Sequence, residues 1–190
     1  MGARDRILDA AADIMRERGV ARATTKEIAR AAGYSEATLY KNFRDKEELI
    51  VEVLRERMPT LSGLSAQPGN ATVEDNLFAV ARAAATFYQR ALPLFGGLLA
   101  EHTRLAAHRE AMSRYGAGPG HAINGITEYL RAEQKLGRVD AAADVEIAAT
   151  LLDGACFHQA FLRYYAEGPD AGPIADDTVR RIAHAITRTL

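Results

Sequence analysis

A single cysteine, Cys156, leaves the chain without the means for an intrachain disulfide or a zinc site built on paired thiolates. It lies in an apolar stretch, so a small buried core residue is its expected role. The histidines His102, His108, His121, His158 and His184 are scattered without metal-ligand spacing, and neither a metal nor a cofactor is expected. Asp153, Cys156 and His158 share one helical stretch, but their offsets do not aim a thiol at an imidazole. No glycine-rich phosphate loop follows a strand. An enzyme is therefore not expected. No apolar run approaches the ~20 residues of a membrane span. Charge begins at Arg4 and Asp5 with no apolar signal segment, so a cytoplasmic protein is expected. Tryptophan is absent, and so is a large net charge of either sign: the formal balance is −1. Dividing the chain near Pro59 changes that balance only slightly. Global charge thus offers nothing to a polyanionic partner, and any such function has to rest on where individual residues stand.

What the chain does have is alanine, leucine and isoleucine at helical spacing, which predicts an all-α fold. Ile7, Leu8, Ala11, Ile14 and Met15 make one face of a first helix from Arg4 to about Gly19. Thr24 to Glu27 reads as a capping box for a second helix that ends at Gly33. Ser35 caps a third, Glu36 to about Asn42, with Leu39 and Phe43 turned inward. Asp45 caps a fourth that buries Leu49, Ile50, Val53 and Leu54 and stops at Met58-Pro59. Thr60 to Thr72 is small and polar and reads as a linker. A longer helix starts near Val73. Pro93 either kinks it or opens the next, which runs to about Tyr115 with an interruption expected near Ala106 to His108. Gly116 to Gly120 breaks the pattern. His121 to Leu136, Asp144 to Ala166 and Asp176 to Thr189 complete the set.

Helix, tight turn at Ala32-Gly33-Tyr34, short helix: this is the layout of a helix-turn-helix. Such a turn sets the second helix steeply, so that its first residues enter a major groove ~12 Å wide. Glu36, Ala37, Thr38 and Lys41 fall on the exposed side and are mostly short. Tyr40 is an aromatic on that same side, with a hydroxyl that can donate to a phosphate. Lys46 stands in the first turn of its helix, where the macrodipole disfavours a cation unless an anion joins it.

Thr24-Thr25-Lys26-Glu27-Ile28-Ala29, Ala32-Gly33-Tyr34-Ser35, Thr38-Leu39-Tyr40, Asn42-Phe43 and Lys46-Glu47-Glu48-Leu49 together resemble the N-terminal signature of the TetR family of repressors. The resemblance covers the first quarter to third of the chain. It implies a three-helix head at 1–46 and a helical ligand-binding and dimerisation body at 47–190, with a connecting helix at about 46–58. It also implies a homodimer on a palindromic double-stranded operator, released by a small effector. Carried over by position, it implies phosphate contacts from Thr25, Tyr40 and Lys46, beside the cap Thr24. Groove contacts would come from Ser35, Glu36, Ala37, Thr38 and Lys41. Glu36 and Ala37 depart from the family's usual glycine pairing, so base preference does not carry over.

In the body, Val145 to Ala166 is apolar on nearly every face, as for a helix with neighbours all round. A second subunit would supply one neighbour, with Leu151, Leu152, Ala155 and Leu162 at the interface and Val179, Ile182 and Ile186 from the last helix. Aromatic and polar residues suggest a small-molecule site taking a largely apolar or aromatic ligand. Phe87, Tyr88, Phe95, Leu99, His102 and Tyr115 would line it from the middle helices. Ile126, Thr127 and Leu130 would come from the next. Asp153, Phe157, His158, Phe161 and Tyr164 would come from the long apolar helix. Plain core packing competes with that role at each position. An alternative function is a small-molecule-binding protein or an activator whose head makes other contacts.

Overall fold

The computed structural model describes residues 2–20, 22–57, 67–100, 102–114 and 118–190. Among them the secondary structure is helical and no strand occurs. In chain order the helices are α1 (Ala3–Arg18), α2 (Thr25–Ala31), α3 (Glu36–Asn42), α4 (Lys46–Glu56), α5 (Val73–Leu99), α6 (His102–Arg114), α7 (Gly120–Lys135), α8 (Val145–Glu167) and α9 (Asp176–Thr187). The chain forms two compact units, Met1–Met58 with Arg90–Gly118, and Pro59–Gln89 with Pro119–Leu190.

In the first unit, α1 packs on α2, α3 and α4, and α6 packs on α4. Ile7, Leu8, Met15, Ile28, Leu39 and Leu49 are wholly buried there. The starts of α2, α3 and α4 follow from their caps. Thr24 Oγ1 accepts from the Glu27 N–H, Ser35 Oγ from the Thr38 N–H and Asp45 Oδ1 from the Glu48 N–H. Charged residues then tie α4 to α1. Arg4 reaches Glu52 at 2.8 Å and Glu56 at 2.7 Å, and Arg57 reaches Asp9 at 2.7 Å and Asp5 at 3.4 Å. Glu52 is almost wholly buried, so its countercharge is a structural requirement. The connecting helix is thus clamped to the head at both its middle and its end.

In the second unit, α8 packs against α7 and α9. Leu77, Ala81, Leu130, Ala149, Leu152 and Cys156 lie at its centre with no exposure. The Cys156 thiol donates to the Ala81 carbonyl at 3.4 Å, and burial pushes its pKa up to about 12. Glu133, wholly buried on α7, pairs with Arg138 at 3.3 Å and accepts from the Gly69 N–H. The segment before α5 is held to α7 in this way.

Two expectations about α5 and α6 change. Of the two places expected for Pro93, the start of α6 is not the one it takes: it lies inside α5, which continues through it to Leu99. A proline removes its N–H bond to the carbonyl four residues back and its ring crowds that carbonyl, and burial of Leu92 and Leu98 on either side offsets that cost. Ala106 to His108, where an interruption is expected, lie within α6.

Candidate nucleic-acid interface and ligand site

The turn between α2 and α3 is closed by two backbone bonds. The Tyr34 N–H donates to Ala29 O at 2.9 Å and the Gly33 N–H to Arg30 O at 3.1 Å. These are the paired bonds of a Schellman cap, and they require the left-handed backbone that Gly33 adopts at φ 80°. The Arg6 guanidinium lies over the Tyr34 ring, 5.6 Å from its centroid, and fastens the turn to α1. Leu39 is wholly buried, so α3 is anchored by one face and turns the other outward.

On that outward face, Tyr40 is 48% exposed, and Ser35, Ala37 and Lys41 are exposed as well. Ser35 and Thr38 share a hydroxyl–hydroxyl bond of 3.0 Å. Thr25 Oγ1 donates to Glu36 Oε1 at 2.5 Å and lies 3.3 Å from Tyr40 Oη. A carboxylate only accepts, so the one Thr25 proton goes to Glu36 and the Tyr40 hydroxyl must be the donor to Thr25. Tyr40, Thr25 and Glu36 therefore form a one-way chain that joins α3 to α2. Thr25 then has its backbone N–H, in the first turn of α2, to offer an anion.

Lys46 differs from the simple expectation. Its ammonium donates to the Val20 carbonyl at 2.8 Å, so it also closes the turn after α1. Around this face the segment 22–46 carries Arg22, Lys26, Arg30, Lys41, Arg44 and Lys46 against Glu27, Glu36 and Asp45. The positive excess is local, and the whole-chain balance hides it.

The residues expected at a ligand site fall in both units. In the first unit, Phe95 is half-buried, while Leu99 and His102 are exposed. Tyr115 lies outside the described residues. In the second, Tyr88 is the hub. Its hydroxyl lies 2.8 and 3.0 Å from the two Asp153 oxygens. Its ring meets Phe87 and Phe157 edge to face, at 5.4 and 5.3 Å between centroids. Burial raises the pKa of the Asp153 carboxyl, against the opposing bond from Tyr88. Burial, followed by the nearby Asp153 charge, raises that of the Tyr88 phenol. Ile126, Thr127 and Leu130 are buried on α7, and Tyr164 is half-buried. An open groove of 340 Å³ runs along α5 past Phe78, Ala79, Arg82, Ala83 and Thr86, and none of the expected residues lines it.

His158 and Phe161 stand elsewhere, on an exposed stripe of α8. Ile147, Leu151, Gly154, His158, Phe161 and Tyr165 are all exposed and recur every three or four residues. Phe157 and Leu162 border the stripe and are exposed too. Among the expected interface residues, Leu151 is 53% exposed while Leu152 is 0% exposed. Val179 and Ile186 are likewise closed inside the subunit, whereas Ala155 and Ile182 are half-buried. Leu152, Val179 and Ile186, expected at the interface from hydrophobic spacing, are thus buried within the single chain, whereas Leu151 and Leu162 are exposed. The α1–α4 ion pairs and the Tyr88–Asp153 pair were not read from the sequence, because their members lie far apart along it.

Comparison with known proteins agrees with this architecture. Residues 7–53 match the family model for bacterial regulatory proteins of the tetR family. Residues 75–190 match that for the C-terminal domain of AefR-like transcriptional repressors. The HTH-type transcriptional repressor KstR2 of Rhodococcus jostii is 40% identical over 62 residues, which are 33% of this chain and 30% of that one. The HTH-type regulator YvkB of Bacillus subtilis is 47% identical over 49 residues, 26% of each chain. The chain thus matches less than a third of the length of these curated relatives. Solved structures match over nearly the full length. A TetR-family regulator from Mesorhizobium loti has a TM-score of 0.74 at 22% identity, covering 98% of this chain and 93% of the other. FadR of Bacillus subtilis, solved with stearoyl-CoA, has a TM-score of 0.66 at 16% identity, covering 97% and 95%. The chain belongs to the TetR family of bacterial transcriptional regulators.

Proposed function

We propose that the protein is a cytoplasmic, homodimeric repressor that holds a palindromic operator through α3 and releases it on binding a small, largely apolar or aromatic effector. The observation that carries this reading is the outward face of α3, which presents Tyr40, Thr38 and Lys41 while Leu39 anchors the helix. A single seven-residue helix reads few bases. Two-fold pairing places a second α3 about one DNA turn away, ~34 Å, and doubles the site. The exposed stripe of α8 supports that pairing. Its spacing of alternating three and four residues is the seam of helices that cross at a shallow angle, and Gly154 sits within it.

Release would act through α4. Because α6 packs on α4 and α4 is ion-paired to α1, displacement of α6 would carry the head with it. An effector shifts the balance only as far as it prefers the displaced state. The aromatic cluster of Phe87, Tyr88 and Phe157 supports an apolar or aromatic effector, and the stearoyl-CoA held by FadR is in keeping with it.

Electrophoretic mobility shift of the full chain against a pool of random duplexes tests the reading. Sequence-selective binding that weakens steeply with salt is expected. Absence of selective binding at every protein concentration would eliminate it.

A further inference from the structure

Resting on the repressor reading, we infer that Glu36 selects a cytosine at one position of each operator half-site. Glu36 opens α3, and the first residues of a recognition helix are those that meet base edges. An acidic side chain in that place cannot serve the phosphates, which repel it. Beyond its bond to Thr25, it can serve a hydrogen-bond donor on a base.

Two bases present donors in the major groove, cytosine through its N4 amino group and adenine through its N6 amino group. The neighbours of those groups decide between them. Adenine N6 lies beside N7, an acceptor that repels a carboxylate oxygen, whereas cytosine N4 lies beside a carbon-bound hydrogen. Guanine and thymine offer only acceptors on this edge and are rejected.

Thr25 makes the choice sharp. Its hydroxyl, on α2, holds Glu36 Oε1 at 2.5 Å, and no other described residue bonds Oε2. One oxygen is thereby held, and the other keeps its capacity to accept from a base. Tyr40 completes the arrangement by donating to Thr25 in the free protein. When the Tyr40 hydroxyl turns to a phosphate, the Thr25–Glu36 bond is retained.

Selection of bound sequences from random duplexes, run in parallel on the wild-type chain, Glu36→Gln, Glu36→Ala and Thr25→Val, tests the assignment. The wild type should enrich cytosine at one symmetric position, by roughly five- to tenfold over the other bases. Glu36→Gln should move that preference to adenine, because an amide both accepts from N6 and donates to N7. Glu36→Ala should flatten it, and Thr25→Val should relax it there while leaving the other positions as they are. If the wild type selects a sequence and all three variants select the same one with the same weights, the inference is wrong. If Glu36→Ala weakens every sequence alike, Glu36 only positions α3, and the inference again fails. Should the wild type show no selectivity at all, the repressor reading itself falls and takes the assignment with it.

Discussion

A hydroxyl carries one proton, and that fact organises the proposed DNA face. Thr25 gives its proton to Glu36, so of these two hydroxyls it is Tyr40, turning from its long bond to Thr25, that can donate to a phosphate. Tyr40→Phe should therefore lower affinity for all duplexes alike, by about 1 kcal/mol, without altering the salt dependence, since no charge is removed. Lys46→Ala should instead reduce the slope of log affinity against log salt by about one unit. It should also lower stability, because the ammonium bonds the Val20 carbonyl. Binding titrations at several salt concentrations, with a denaturant melt of each variant, separate these outcomes.

At the scale of elements, a turn and a clamp define the head. The Schellman cap needs a positive φ at Gly33, so Gly33→Ala should cost about 1–2 kcal/mol in urea unfolding. The α1–α4 clamp makes its own prediction against pH. The side-chain bond from Arg4 holds the Glu56 carboxyl down to a pKa of about 2, with a smaller contribution from the Arg57 charge. A folded pKa below the unfolded one means stability that is present above the ordinary carboxylate value and lost as pH falls through the folded value. The wild type should exceed Glu56→Gln by up to about 1 kcal/mol near neutrality. That difference should shrink between the ordinary carboxylate range and pH 2. Unfolding of both proteins across that range measures it. The same clamp explains why α4 belongs to the compact unit of the head. Its apolar residues were legible in the sequence, but its ion pairs join residues about fifty positions apart.

At the scale of the molecule, two features test the second unit. Tyr88→Phe would leave the buried Asp153 carboxylate without its donor and should cost about 1–3 kcal/mol. Asp153→Asn should be milder at neutral pH. The folded pKa of Asp153 is raised, so the penalty of its charge is absent below the ordinary aspartate value and grows as pH rises through the raised one. Asparagine removes that slope, which unfolding at a series of pH values would reveal. The second feature is the exposed seam of α8. Leu151→Glu places a charge in it without touching the subunit's own core, since Leu151 faces outward. Sedimentation should then show monomers, with affinity for a two-half-site duplex falling by at least about tenfold.

The sequence by itself determined the helices, because capping and hydrophobic periodicity are local: Thr24, Ser35 and Asp45 start their helices where their side chains reach backbone N–H groups. It also determined the family, through residues 24–49, and with it the turn at Gly33 and the exposed place of Tyr40. Tertiary structure decided what local spacing cannot encode. Pro93 continues a helix because buried neighbours hold both sides. Leu152, Val179 and Ile186 are buried within the chain, while Leu151 and Phe161 remain exposed, a difference that apolar spacing alone does not encode. Glu36 has a fixed direction only because α2 brings Thr25 to it. In each case, residues separated along the chain share one neighbourhood, and burial or a single proton determines which role each side chain takes.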